Sequence, residues 1–287
     1  MKYAFIEAPI SEGSPTEGSR FAFGALRDTV GSVFGTDALF LPCPKRDPDL
    51  SLSPKNLHSL GIVTDMSRRV CEAVSGQIGA GNLPIVIGGD HSVAMGSIAA
   101  AAETSPEPLT VVYIDGHTDI NTEESTESGY IHGMPLAQAM GLCTPLLDIG
   151  KTRAHLRGEN TYILGARSID PGEYPILRAQ GVHLYTAEDV RSLGIGEVMR
   201  RVCAEIAGKR VHISFDVDCM DGEVFPATGY RMPDGMTFEE ALSALIGAFR
   251  AARVCSLDLV EYDPTLDHDG HCLALLSRLL TALRDAQ

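Results

Sequence analysis

These 287 residues contain no C-x-x-C pair, no apolar run long enough to span a membrane, no internal repeat and no low-complexity segment. Basic residues are few against acidic ones. Each absence excludes something. The seven cysteines are odd in number and widely spaced, which argues against a disulfide framework and for reduced thiols in a cytoplasmic protein. Without a long apolar run there is no candidate transmembrane helix. The opening stretch Met1–Glu7 is too short in apolar length for a signal segment and reads as a first strand. With 23 Lys and Arg against 38 Asp and Glu, the net charge is -15. That balance argues against a nucleic-acid partner or an anionic membrane surface and favours, in a general way, a cationic ligand. No linker divides the chain, so residues 1–287 read as one domain. The length fits a large α/β unit, and 44% hydrophobic residues suffice for its core.

What is present alternates. Strands are expected at 2–7, 38–42, 84–87, 109–114, 161–164, 182–185, 210–216 and 254–259. Helices are expected at 21–30, 57–80, 93–103, 131–140, from Thr186 onward, 197–207, 237–252 and 273–286. The 57–80 helix has Leu60, Val63, Met66, Val70 and Val74 on one face. Polar loops are expected at 8–20, 47–56 and 121–130. Strand–helix alternation from end to end predicts a single three-layer α/β/α domain around a mostly parallel sheet. In such sheets ligands bind outside the carboxyl ends of the strands.

The residues that carry chemistry fall at those ends. Asp115-Gly116-His117-Thr118-Asp119 follows the apolar run Leu109–Ile114. If the backbone stays extended, period two points Asp115, His117 and Asp119 the same way, as a divalent-metal half-site. Alone, the pentapeptide reads equally well as a solvated acidic loop. Three further clusters share the location: Gly88-Gly89-Asp90-His91-Ser92, Ser214-Phe215-Asp216-Val217-Asp218, and Glu261 in Glu261-Tyr262-Asp263-Pro264. Four carboxylates and two imidazoles, some bridging, can serve two divalent ions. A donor set without thiolate suits Mn²⁺, with Fe, Co, Ni or Zn as alternatives. Cys219 is read as a small core or pocket-wall residue.

GGDHS at 88–92, DGHTD at 115–119, SFDVD at 214–218 and the glutamate of EYDP at 261–264 together resemble the arginase–agmatinase family of ureohydrolases over nearly the whole chain. The resemblance implies two Mn²⁺ ions. One would be held by His91, Asp115, Asp119 and Asp216, the other by His117, Asp115, Asp216 and Asp218. It also implies a bridging hydroxide that attacks a guanidinium carbon, with Asp119 orienting it, Glu261 pairing with the guanidinium and His132 moving the proton. Within the family the arginase branch fits best. Asn121 and Ser128 resemble residues that bind a substrate α-carboxylate, and Asp170, assisted by Glu173, resembles one that contacts an α-amino group. The implied substrate is a small guanidino compound, L-arginine, hydrolysed to ornithine and urea. The implied assembly is a homo-oligomer, a trimer or hexamer.

The chain departs from the family pattern in places. Gly116 stands for alanine, Asp221-Gly222 for Asp-Pro, and Asp263 for asparagine. Tyr130 and Tyr230 stand for asparagine and threonine in the substrate pocket. Those two leave room for a modified arginine or a related guanidine. Hydroxyarginine hydrolase, agmatinase, guanidinobutyrase, formiminoglutamase and a non-catalytic family member are the alternatives. His58, His155, His183, His268 and His271 have no partners at ligand spacing, and His212 reads as a hydrogen-bonded core histidine.

Overall fold

Apolar strands that must be covered on both faces pair in parallel, and this chain does so throughout. The structure, a computed structural model, describes residues 2–44 and 57–287. The strands are β1 (Lys2–Glu7), β2 (Ala38–Phe40), β3 (Asn82–Ile87), β4 (Thr110–Ile114), β5 (Thr161–Ala166), β6 (His183–Thr186), β7 (Arg210–Asp216) and β8 (Arg253–Val260). They form one sheet in the order β2-β1-β3-β8-β7-β4-β5-β6. Every described pairing between these eight strands is parallel, stricter than the mostly parallel sheet expected, and the one antiparallel bridge described, Thr228 with Tyr262, lies outside them.

Helices α1 (Ala22–Phe34), α2 (Leu60–Gly79), α3 (Ala94–Glu103), α4 (Pro135–Ala139), α5 (Glu173–Gln180), α6 (Ala187–Leu193), α7 (Ile195–Ile206), α8 (Phe238–Ala251) and α9 (His271–Asp285) cover the sheet. Alternate strand residues serve opposite cores. Val112, Ile114, Ile213 and Phe215 pack with Leu26 of α1, Val202 of α7, Leu245 of α8 and Leu276 of α9. Val86, Val111 and Tyr113 pack with Met66 and Val70 of α2, Ile98 of α3 and Ala137 of α4. The result is helix, sheet, helix, as the period-two and 3.6-residue patterns demand. All seven cysteines are free.

Several expected elements differ from those found. The helix expected at 131–140 is a short 3-10 turn, Ile131–Gly133, followed by α4, because Pro135 suits only the first turn of a helix. The helical stretch after Thr186 divides at Gly194 (φ 80°), which separates α6 from α7. The helix expected from residue 57 starts at Leu60, after Ser59 at φ 52°. The strand at 38–42 stops at Phe40. The loop expected at 47–56 lies outside the described residues. Among the described residues, no helix is long and apolar enough to cross a membrane.

Candidate metal centre

The centre lies at the carboxyl ends of β3, β8, β7 and β4, four neighbours in the sheet. His91 comes from the turn after β3. That turn needs glycine: Gly89 sits at φ 59°, and a Cβ there would lie 2.5 Å from the Ile10 carbonyl. Asp216 ends β7, and Asp218 follows in a 3-10 turn. Glu261 follows β8, with φ 63°.

The central pentapeptide does not stay extended. β4 stops at Ile114, the Gly116 carbonyl accepts from the backbone N–H groups of Arg167 and Ser168, and Asp119 turns left-handed at φ 45°. Asp115, His117 and Asp119 therefore converge through a curled loop and not through strand period. The Asp119 carbonyl accepts from Leu136 N–H, which ties this loop to α4. A left-handed non-glycine backbone costs on the order of 1–3 kcal/mol and persists where surrounding contacts enforce it. Asp119 and Glu261 are two of four such residues described. Gly116 is closely packed: a Cβ there would lie 2.5 Å from the mobile end of Arg167, at Nη1, and 2.9 Å from both the Asp218 carbonyl and its Oδ1.

Among the described residues, two groups of side chains have ligand atoms close enough to share an ion. They are His91 with Asp115 and Asp216, and His117 with Asp115 and Asp218, so Asp115 belongs to both. His91 Nδ1 lies 3.0 Å from Asp115 Oδ2, 3.1 Å from Asp216 Oδ2 and 3.3 Å from Asp119 Oδ2. His117 Nδ1 lies 3.0 Å from Asp218 Oδ2 and 3.6 Å from Asp115 Oδ1. Asp216 falls outside the second group, and Asp119, though it reaches His91, falls outside both. His91 Nδ1 and Asp115 Oδ2 are buried yet have no hydrogen-bond partner. These atoms converge on a shared space without bonding to one another, which is how ligands around a cation are arranged.

Charge points the same way. Burial pushes Asp216 well above the carboxylate range, and Asp218 and Asp115 add to the shift. Burial, then Asp115, lifts Asp119 to about 7. Burial disfavours charge on His91 and His117, but the carboxylates around them outweigh it and hold both well above the ordinary imidazole value. Burial would also raise Asp115, but His117 and His91 outweigh it and hold this carboxyl low. The shifts share one cause beyond burial: the negative charge gathered here exceeds what two imidazoles balance. Divalent cations would balance the excess. The residues therefore fit a pair of metal ions. Cys219 is fully buried and belongs to neither group; burial, with Asp216 and Asp218, pushes its thiol well up.

Beside the centre is a cavity of about 260 Å³, sized for a metabolite. His117, Asp119, Asn121, Ser128, Tyr130, His132, Asp170, Glu173, Tyr230 and Glu261 all line it. Glu261 Oε1 accepts from His91 N–H at 2.9 Å and lies 3.1 Å from His132 Nδ1. Glu261 Oε2 is buried without a partner. Burial disfavours the His132 imidazolium, but Glu261 outweighs it and raises the value. Asn121 Nδ2 donates to Asp170 Oδ2, and Ser128 Oγ accepts from Tyr130 N–H at 3.3 Å. Glu173 is committed elsewhere: its oxygens accept from Ile120 N–H at 3.1 Å and Asp170 N–H at 2.8 Å. It joins the two loops. The Tyr230 ring lies 5.2 Å from His132 and 5.4 Å from His117, with its phenol pushed up to about 12 by burial and then Glu261.

Three contacts escaped the sequence reading. Tyr113 stacks on His91, Ser214 Oγ lies 2.8 Å from His91 Nε2, and His58 stacks on Tyr130. Tyr113 and Ser214 each precede a site aspartate by two residues on a strand, so period two already put them on the aspartate's side. Nothing local marks His58. Core histidine His212 is hydrogen-bonded as expected through Nδ1, 2.8 Å from Ser256 Oγ, while its Nε2 lies 3.1 Å from Asp258 Oδ2 without a hydrogen bond.

Known proteins match this frame. The family profile described as Arginase family matches residues 1–283. The arginase of Bacillus caldovelox is 34% identical over 230 residues, covering 79% of this chain and 77% of its own length. Arginase-1 of Rattus norvegicus is 31% identical over 278 residues, covering 91% and 84%. The native structure of the Bacillus caldovelox arginase superposes with a TM-score of 0.90 at 30% identity, covering 99% of this chain and 98% of that one. The chain belongs to the arginase family, whose members are hydrolases acting on guanidino substrates.

Proposed function

We propose that this chain is a binuclear manganese amidinohydrolase that converts L-arginine to ornithine and urea. The observation that carries the reading is a single cavity lined by Asp216 of the first ligand group, His117 and Asp218 of the second, Glu261 with its unpartnered Oε2, and the Asn121–Asp170 pair. His91, Asp115, Asp119 and Asp216 would hold one ion, and His117, Asp115, Asp216 and Asp218 the other. A donor set of imidazole and carboxylate without thiolate favours manganese. Two such ions would supply a hydroxide nucleophile from water near neutral pH.

The chain's own residues do the rest. Glu261 keeps Oε1 on His91 N–H and His132 and offers Oε2 to the guanidinium, whose fork of N–H donors suits a fixed carboxylate. Asp119 orients the attacking water. His132, whose imidazolium Glu261 favours against the opposing pull of burial, gives the departing amine its proton. Asn121 and Ser128 take the α-carboxylate, and Asp170 takes the ammonium. Glu173 lines the same cavity and positions Asp170 through its backbone N–H, assisting at the ammonium end. The chain would work as one domain, in a cytoplasmic homo-oligomer whose size sedimentation would report.

A second reading rests on the two tyrosines. Tyr130 and Tyr230 narrow the cavity, and a neutral phenol can both donate and accept. They favour a guanidine carrying an extra polar atom, such as hydroxyarginine. A panel of L-arginine, hydroxyarginine, agmatine and guanidinobutyrate, compared by kcat/KM with manganese, separates the readings. Arginine or hydroxyarginine ahead supports the α-amino-acid clamp, and agmatine ahead removes it.

A further inference from the structure

The floor beneath His91 is a row of three residues on adjacent strands. Tyr113 of β4 pairs in register with Ser214 of β7, which pairs with Asp258 of β8. All three are fully buried. The Tyr113 ring lies parallel to the His91 imidazole, 4.5 Å between centroids and 6° between planes. Its hydroxyl donates to Asp119 Oδ2 at 2.8 Å. Ser214 Oγ meets His91 Nε2, so the imidazole is held on its face by one residue and at its far nitrogen by another. That leaves Nδ1 turned toward Asp115 and Asp216.

We propose that Tyr113 is a positioning residue for the metal centre, acting through both His91 and Asp119. This assignment rests on the metal reading above. The physical need is plain at Asp119. Its left-handed backbone lies beyond the end of β4, and no strand pairing fixes its carboxylate. Tyr113 is on the strand itself, so its hydroxyl is a rigid donor that sets where Oδ2 points. The stack removes the remaining rotation of the His91 ring. Both residues that Tyr113 touches belong to the same proposed ion. Loss of the hydroxyl should therefore weaken that ion and spare the one held by His117 and Asp218. Partners of this kind, removed, typically lower metal affinity about 10- to 100-fold.

Two variants divide the effects. Tyr113→Phe keeps the ring and loses the hydroxyl, and Tyr113→Leu loses both. Each is stripped with a chelator, titrated with Mn²⁺ by calorimetry, and melted with and without the metal. Wild-type protein should bind two ions. Y113F should bind one as wild type does and the other about tenfold to a hundredfold more weakly, and Y113L more weakly still. A structural role would instead lower the melting temperature of the stripped protein and leave both affinities alone. A double-mutant cycle with Asp119→Ala sharpens the test: Y113F should add little once its partner is gone. Y113F binding both ions with wild-type affinity, beside a wild type that binds two, overturns the assignment alone. Wild type binding no ion overturns the metal reading and this assignment with it.

Discussion

Asn121 and Asp170 hold each other across the mouth of the cavity, 2.9 Å from Nδ2 to Oδ2. The carboxylate reader and the ammonium reader of the proposed clamp are therefore one preassembled unit, and Glu173 fixes its far side through Asp170 N–H. Hydrogen bonds to charged groups contribute about 1.5–3 kcal/mol each. Asp170→Ala should raise KM for L-arginine roughly 10- to 100-fold with kcat much less affected. Asn121→Ala, by contrast, should discriminate less between arginine and agmatine, which keeps the ammonium and lacks the carboxylate. Steady-state kinetics on both substrates checks this.

Asp115 belongs to both ligand groups. Removing its charge withdraws a shared partner from two cations at once. Asp115→Ala should lose both ions, whereas His91→Ala should weaken mainly one. Asp216→Ala is expected to behave like Asp115→Ala, because the proposal makes it the second bridge. Elemental analysis after dialysis distinguishes these outcomes. Full metal content and full activity in Asp216→Ala would falsify the binuclear assignment.

His132 lines the cavity but is in neither ligand group. His132→Ala should keep its metals and lose turnover by about a hundredfold to ten-thousandfold. Metal analysis beside kcat settles the point, since a variant that lost its ions would mark His132 as a ligand.

Glu261 holds His132 above the ordinary imidazole value against the opposing pull of burial. The folded chain therefore binds this proton more tightly than the unfolded one. The resulting stability is fully present below the unfolded value of about 6.5 and is lost as pH rises through the folded value. In metal-free protein, the melting-temperature gap between wild type and His132→Gln should be widest near about pH 6 and should shrink toward about pH 9. A gap that widened with pH would reverse the sign and contradict the pairing.

Tyr230 stands beside both His117 and His132. Tyr230→Thr should widen the guanidinium end of the cavity. If the phenol selects a hydroxylated guanidine, the ratio of kcat/KM for hydroxyarginine over arginine should fall in this variant. An unchanged ratio would free Tyr230 of any role in selection.

Much of the architecture was legible because it depends on period. Val111, Val112, Tyr113 and Ile114 alternate between two cores, and that alternation is written in the apolar run itself. Residue types at strand ends already pointed to the candidate metal centre. What stayed hidden depends on tertiary contact. Asp119 reaches His91 only because the loop curls, under hydrogen bonds from Arg167, Ser168 and Leu136 that no local pattern announces. The break before α4 was readable from Pro135, but the 57–80 pattern does not reveal that Ser59 turns left-handed. Glu173 carries the same carboxylate as Asp170, and only its two loop contacts assign it a supporting role. The stack of His58 on Tyr130 joins residues 72 positions apart, beyond the reach of any spacing argument.

The most direct test of the central claim is urea release from L-arginine by one preparation, stripped by chelator and then reloaded with manganese. The account predicts no urea from the stripped protein and, after reloading with two ions per chain, urea and ornithine in equal amounts. Reloaded protein that holds two ions and releases no urea from arginine or any other guanidine would contradict it.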